Sequence, residues 1–284
     1  MDFPLHTSLR DLALARSSLA LVGLALLLTW ETFAPFFASG SAQQRGIHGS
    51  RNLILGALNA LMIAFAFAGL WYAVSRWATT HRFGLLNVLN LPLAFRLMAA
   101  FLLFDVWMYW WHRLNHRIPF LWRFHRTHHS DTTMDVTTAS RFHFGEILFS
   151  ACLRLPVILL LGLRIEELLL YEMALFAVVQ LHHANISLPA KLDALLRSLI
   201  VTPNLHKVHH SRLPMETNSN YSSLFSFWDR CFRTFQLRAD PRTITFGLAG
   251  FDEPAQQSLS GLIKTPLAHD RPGLTTDEQK IGIK

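Results

Sequence analysis

The chain has 284 residues, 51% of them apolar and only 16% charged, with a mean hydropathy of +0.26, which is unusual for a soluble enzyme. Its net charge of +7 comes without any interleaved basic reading motif, so nucleic acid is not expected as a partner. Two cysteines, Cys152 and Cys231, form no metal-binding spacing and exclude a disulfide framework.

Residues 18 to 30, continued by Phe33 to Ala38, form the first apolar run. Arg10 and Arg16 ahead of it and the small residues 38 to 42 would suit a signal peptide. The run is longer than a signal core and is interrupted by Trp30 and Glu31, so a membrane anchor is expected. Residues 40 to 50, with Gly40, Gly46, Gly49 and Arg45, read as a loop. A second span is expected over residues 52 to 77, ending on Trp71, Tyr72 and Trp77 where amphipathic rings prefer the headgroup level. After a connector and Pro92, a third apolar helix covers residues 91 to 111 and runs into His112. Its aromatic cluster Trp107, Tyr109, Trp110 and Trp111 reads as an interfacial belt. Asp105 stands two turns before His112, and an acid within an apolar span is a functional candidate. It is expected to accept the outer N–H of a ligating imidazole, the alternative being a pairing with Arg96 or a backbone group. Shorter apolar stretches at 147 to 163 and 167 to 181 suggest a hairpin, and the segment after Asp240 reads as extended or partly disordered.

Between residues 112 and 210 lie eleven of the fifteen histidines. His112 and His116 form H-x-x-x-H; His125, His128 and His129 form H-x-x-H-H, and His206, His209 and His210 repeat it. Spacings of three and four bring side chains together on one helical face. Imidazole is a common ligand for zinc, copper, iron and nickel, and eight motif histidines exceed the capacity of one ion, so two metals are expected. His182 and His183 are further candidates; adjacent residues on a helix point about 100 degrees apart, so one of the two is expected to ligate. His143, isolated in Arg141-Phe-His143-Phe-Gly-Glu146, is placed behind the ligands as a hydrogen-bonding support. Arginines 113, 117, 123, 126 and 141 surround the histidines and twelve of the 26 Lys and Arg lie beyond residue 182, a bias expected of a cytoplasmic face.

These motifs, in order, resemble the sterol desaturase and fatty acid hydroxylase superfamily of integral membrane proteins. The resemblance rests on Asp105 to His116 as D-x-x-x-Y-W-x-H-x-x-x-H and on Leu121 to Ser130 as L-W-x-x-H-x-x-H-H-S. It continues through His183-x-Asn185, Thr202-Pro203 before the second H-x-x-H-H, Asn220-Tyr221, and Trp228-Asp229-Arg230. It implies an all-α membrane bundle of about four embedded helices or hairpins, capped on the cytoplasmic side by helices that carry a dimetal site. It also implies two iron ions, O2 as co-substrate, an external electron donor (a protein or a small reductant) and a lipid substrate that is hydroxylated or desaturated. The expected organisation is N-terminal membrane helices over 1–104, a catalytic region over 105–240 and a tail over 241–284. Departures from the family pattern occur at Phe144 for proline, Ser222 for glycine and Arg233 for glycine, and they leave the lipid unidentified. A metallohydrolase is the nearest chemical alternative, although no carboxylate or serine within the histidine motifs offers a base or nucleophile. A metal transporter would place its ligands on several spans near the membrane midplane.

Overall fold

In a computed structural model, residues 8–38 and 40–268 are described. Among them the chain is helical, with isolated bridges in place of strands. Four helical stretches are long and apolar enough to cross a membrane: Leu9–Phe33, Ala42–Val88, Leu93–Arg117 and Phe144–Leu161. They expose leucine and phenylalanine side chains such as Leu21, Leu26, Phe65 and Leu160 to their surroundings. In water such surfaces would be unstable, so the chain is an integral membrane protein.

Helix α1 (Leu9–Phe33) begins in a capping box made by Ser8 and Asp11. Helix α2 (Ala42–Met62) passes through a π-helical turn (Ile63–Phe67) into α3 (Ala68–Thr80), and a short α4 (Leu85–Val88) leads to α5 (Leu93–Arg117). α2 starts ten residues before the expected span, inside the expected loop. Ser41 accepts the Gln44 N–H while Gln44 returns a bond to the Ser41 N–H, and this capping box outweighs the helix-weakening glycines. Gly49 and, further along α2, Gly56 are packing positions: a Cβ on Gly49 would stand 3.4 Å from Thr137, and one on Gly56 2.8 Å from the Ser140 Cβ.

Pro119 opens α6 (Pro119–His129), after which a 3-10 turn (Val136–Ser140) leads into α7 (Phe144–Leu161). α7 and α8 (Ile165–His183) form the expected hairpin around Gly162, whose φ of 67° is left-handed. The buried pair Arg96–Glu167 clamps this turn to α5, and Arg96 also donates to Gly162 O and Leu86 O. Phe104, Trp71, Ile158, Leu168 and Tyr171 make the core between α3, α5, α7 and α8. The aromatic belt expected on α5 divides, because Tyr109 and Trp111 are buried and Trp110 is exposed. Short helices α9 (Ala190–Leu196), α10 (Pro203–His209), α11 (Pro214–Thr217) and α12 (Phe227–Cys231) follow.

The segment after Asp240 is more ordered than its composition suggests. Residues up to 268 include α13 (Leu259–Lys264), Leu262 is fully buried, and Arg126 donates to Thr265 O and Ala268 O. A few such anchors offset the ordering entropy of a segment with little core of its own; residues 269–284 lie outside the described residues.

Candidate metal centre

The motif histidines converge into two groups. His112, His116, His125, His129 and His209 form one, and His128, His183, His206 and His210 the other; within each, the candidate ligand atoms lie within 4.8 Å of one another. The groups abut, the His129 and His210 rings stacking 4.5 Å apart.

Helical geometry sorts the repeated motif. In H-x-x-H-H the first and last histidines are four residues apart and share a face, whereas the middle one is turned by about 100 degrees from the last. On α6, His125 and His129 therefore serve the five-membered group and His128 the other. On α10 and its C-cap the division is reversed: His206 and His210 serve the four-membered group and His209 the other. α5 adds His112 and His116 to the first group, and the last residue of α8, His183, completes the second.

His182 belongs to neither group. It stacks on His206 with ring centroids 3.9 Å apart, as the 100-degree offset between neighbouring helical residues requires.

Hydrogen bonds fix several imidazoles from behind. The Nδ1–H of His112 donates to Tyr221 O at 2.7 Å, that of His209 to Ser219 O at 2.7 Å, that of His183 to Val179 O at 2.8 Å, and that of His125 to Glu146 Oε1 at 2.9 Å. These assignments follow from the acceptors, since neither a carbonyl nor a carboxylate can donate. Each ring then turns a bare Nε2 lone pair inward, and the Nε2 atoms of His112 and His209 stand only 3.0 Å apart. Two lone pairs so close need a cation between them. Among the described residues, moreover, His116 and His129 have no hydrogen-bond partner at either nitrogen, an expensive state for buried polar atoms unless an ion satisfies them. The donor set fits a metal pair.

Burial, reinforced by neighbouring imidazoles, holds His128, His129, His206 and His210 well below the ordinary histidine range and brings His209 down to about 3. The rings are thus neutral near pH 7, the form that ligates.

The loop after α10 supplies two of the carbonyl acceptors. Asp229 accepts the N–H groups of Tyr221 and Ser222 and the Thr234 hydroxyl. Asn220, at φ 51°, ties Leu205 O to Gln236 O. The Asn-Tyr and Trp-Asp-Arg motifs therefore hold the backbone that holds His112 and His209. Behind α6, His48 lies between Asp131 and Asp135, and Arg141 donates to Thr127 O, Asn52 Oδ1 and Ser130 Oγ.

Two expected supports have other partners. Asp105 accepts from Tyr171 OH (2.5 Å), Trp228 Nε1 (2.8 Å) and the Phe225 N–H (3.1 Å), and from no imidazole among the described residues. Two turns below His112, it locks α5 to α8 and α12; α5 carries it too far down to meet a ligand. His143 is the N-cap of α7: its Nδ1 accepts the Gly145 N–H and its Nε2–H donates to Ile263 O. The carboxylate that reaches a ligand is Glu146, three residues on. Its sequence signal was its place in the Arg141 to Glu146 motif, and its position in the first turn of α7 turns it toward His125.

The fatty acid hydroxylase family model matches residues 97–234, which contain every histidine of both groups. The histidine-bearing part of this chain is similar to that family. Relatives include an ornithine lipid hydroxylase of Rhizobium tropici, 32% identical over 160 residues, or 56% of this chain and 47% of that protein. An alkylglycerol monooxygenase of Xenopus tropicalis is 34% identical over 141 residues, 48% of this chain and 29% of that protein. A cholesterol 25-hydroxylase-like protein of Danio rerio is 30% identical over 141 residues, 49% of this chain and 54% of that protein. The similarity thus spans about half or less of each of these relatives. No solved structure matches the chain.

Proposed function

We propose that this membrane protein is a di-iron lipid hydroxylase, consuming O2, two electrons and two protons to convert a lipid C–H bond into C–OH and water. The observation that carries this reading is the pair of adjoining all-histidine groups, with Nε2 lone pairs turned inward by carbonyl and carboxylate acceptors. Hydroxylation is preferred to desaturation because the relatives cited are named as hydroxylases or monooxygenases.

His112, His116, His125, His129 and His209 would hold one iron and His128, His183, His206 and His210 the other. Together the ions would supply an oxidant strong enough for an unactivated C–H bond. The chain's own part is placement. Glu146, Tyr221 O, Ser219 O and Val179 O orient the rings, and near-complete burial of His125, His128, His129 and the α10 histidines keeps bulk water from the centre. Electrons come from a separate protein or a small reductant. The centre faces the cytoplasm, a reading supported by the arginines around the histidines and the Lys and Arg bias beyond residue 182.

The test is lipid profiling of membranes with and without the protein under labelled oxygen gas. A lipid gaining one labelled oxygen atom is expected; a protein-dependent product whose new oxygen is unlabelled would show that the oxygen comes from water and identify a hydrolase.

A further inference from the structure

Beside the five-histidine group lies a cleft of ≈ 630 Å³ whose lining includes Trp110, Arg113, Arg117, Phe232, Arg233 and Phe235. We propose that this cleft seats the anionic headgroup, a phosphate, of the lipid on which the neighbouring centre acts. The proposal rests on the lipid hydroxylase reading and adds to it the class of lipid.

Charge is the first argument. Arg96, Arg154, Arg197, Arg212 and Arg238 each face a carboxylate of the chain. Among the described residues no carboxylate pairs with Arg113, Arg117 or Arg233. Arg113 and Arg117 are one helical turn apart on α5, and Arg113 lies over the Trp110 ring at 5.1 Å. Planar guanidinium groups lining one cleft without a carboxylate partner suit a phosphate, whose oxygens they can engage in pairs.

Arg233 is the second argument. Its φ of 58° places it in the left-handed region, where a side chain is strained and glycine is not. The chain keeps a strained arginine where a strain-free residue would serve the backbone, and strain retained against an available remedy points to a use for the side chain.

Position is the third. Trp110 is 40% exposed at the end of an apolar span, and Met215, also on the lining, is 67% exposed. Such amphipathic rings and arginines mark the headgroup level of a bilayer. Concavity and volume suit a small molecule rather than the flat face of a protein. The cleft also adjoins the centre: Arg113 follows His112, Arg117 follows His116, and Ser219 on its wall gives the carbonyl that holds His209.

The test measures binding without turnover, by calorimetry on the full chain in a non-ionic detergent. The probes are short-chain phosphatidic acid, short-chain phosphatidylcholine and inorganic phosphate. Phosphatidic acid is expected to bind at least tenfold more tightly than either of the others, and Arg233→Gly to weaken it at least tenfold. Because glycine accepts a φ of 58°, that variant should melt no lower than the parent, which separates lost recognition from lost folding. Arg113→Gln should weaken binding likewise. Equal affinity for the two lipids, inorganic phosphate binding as tightly as phosphatidic acid, or undiminished binding by both variants would each overturn the proposal. Selective binding without any incorporation of labelled oxygen would leave the headgroup seat standing and defeat the hydroxylase reading instead.

Discussion

For a histidine here, the atom behind the ring decides what the ring can do. His183 donates its Nδ1–H to Val179 O and faces the four-membered group, whereas its neighbour His182 packs on His206 and belongs to neither group. Replacing His183 by alanine should therefore lower the metal content of purified protein, and His182→Ala should leave it near the parent's; elemental analysis distinguishes them, and equal losses would contradict the assignment. Glu146→Gln keeps an acceptor for His125 but removes the charge that raises its basicity, a change that typically costs about 10 to 100-fold in metal affinity or activity. Metal titration of the variant measures it, and parental affinity would make Glu146 a bystander. Asp105→Asn should behave otherwise. With three donors converging on its oxygens, its loss of charge should destabilise the fold by ~1–3 kcal/mol. Thermal unfolding would report this with metal content unchanged, and metal loss at an unchanged melting temperature would restore Asp105 as a ligand support. Spacing made the ligands legible because three and four residues fix a helical face. It could not make the supports legible, since the partners of Asp105 come from residues 171, 225 and 228, which only tertiary packing brings near.

At the scale of elements, one motif used twice builds both groups. α6 gives two histidines to the first and one to the second, α10 and its cap reverse the shares, and α5 and α8 close the two sets. The histidine count led to the expectation of two metals but not to the division into two groups, which depends on how α6 and α10 face each other. The same limit hid the start of α2. Gly46 and Gly49 look like loop residues in sequence, yet the Ser41–Gln44 box starts a helix, and Gly49 and Gly56 admit Thr137 and Ser140, which lead back to the site. Gly56→Val would force a side chain against Ser140, and overpacking of this kind costs about 1–3 kcal/mol. A lowered melting temperature is expected, and no change would mean that α2 can move away from residues 136 to 140 without penalty.

Across the whole molecule, apolar runs revealed the membrane helices because about 20 such residues have few other uses, and four stretches answer to them. The order of the segment after Asp240 was not legible, for it depends on the few anchors donated by Arg126, Arg141 and His143. For the site to exist, α6 and α10 must share one side of the membrane. Cysteines introduced at exposed Arg123 and Leu213, near these helices, should react with an impermeant reagent from the same side, and labelling from opposite sides would disprove the arrangement. The account's central claim is that nine histidines from four places in the chain hold two ions. Elemental analysis of folded, detergent-solubilised protein tests it most directly: two metal ions per chain are predicted, iron when it is supplied, and a reproducible value of one or none would contradict the claim.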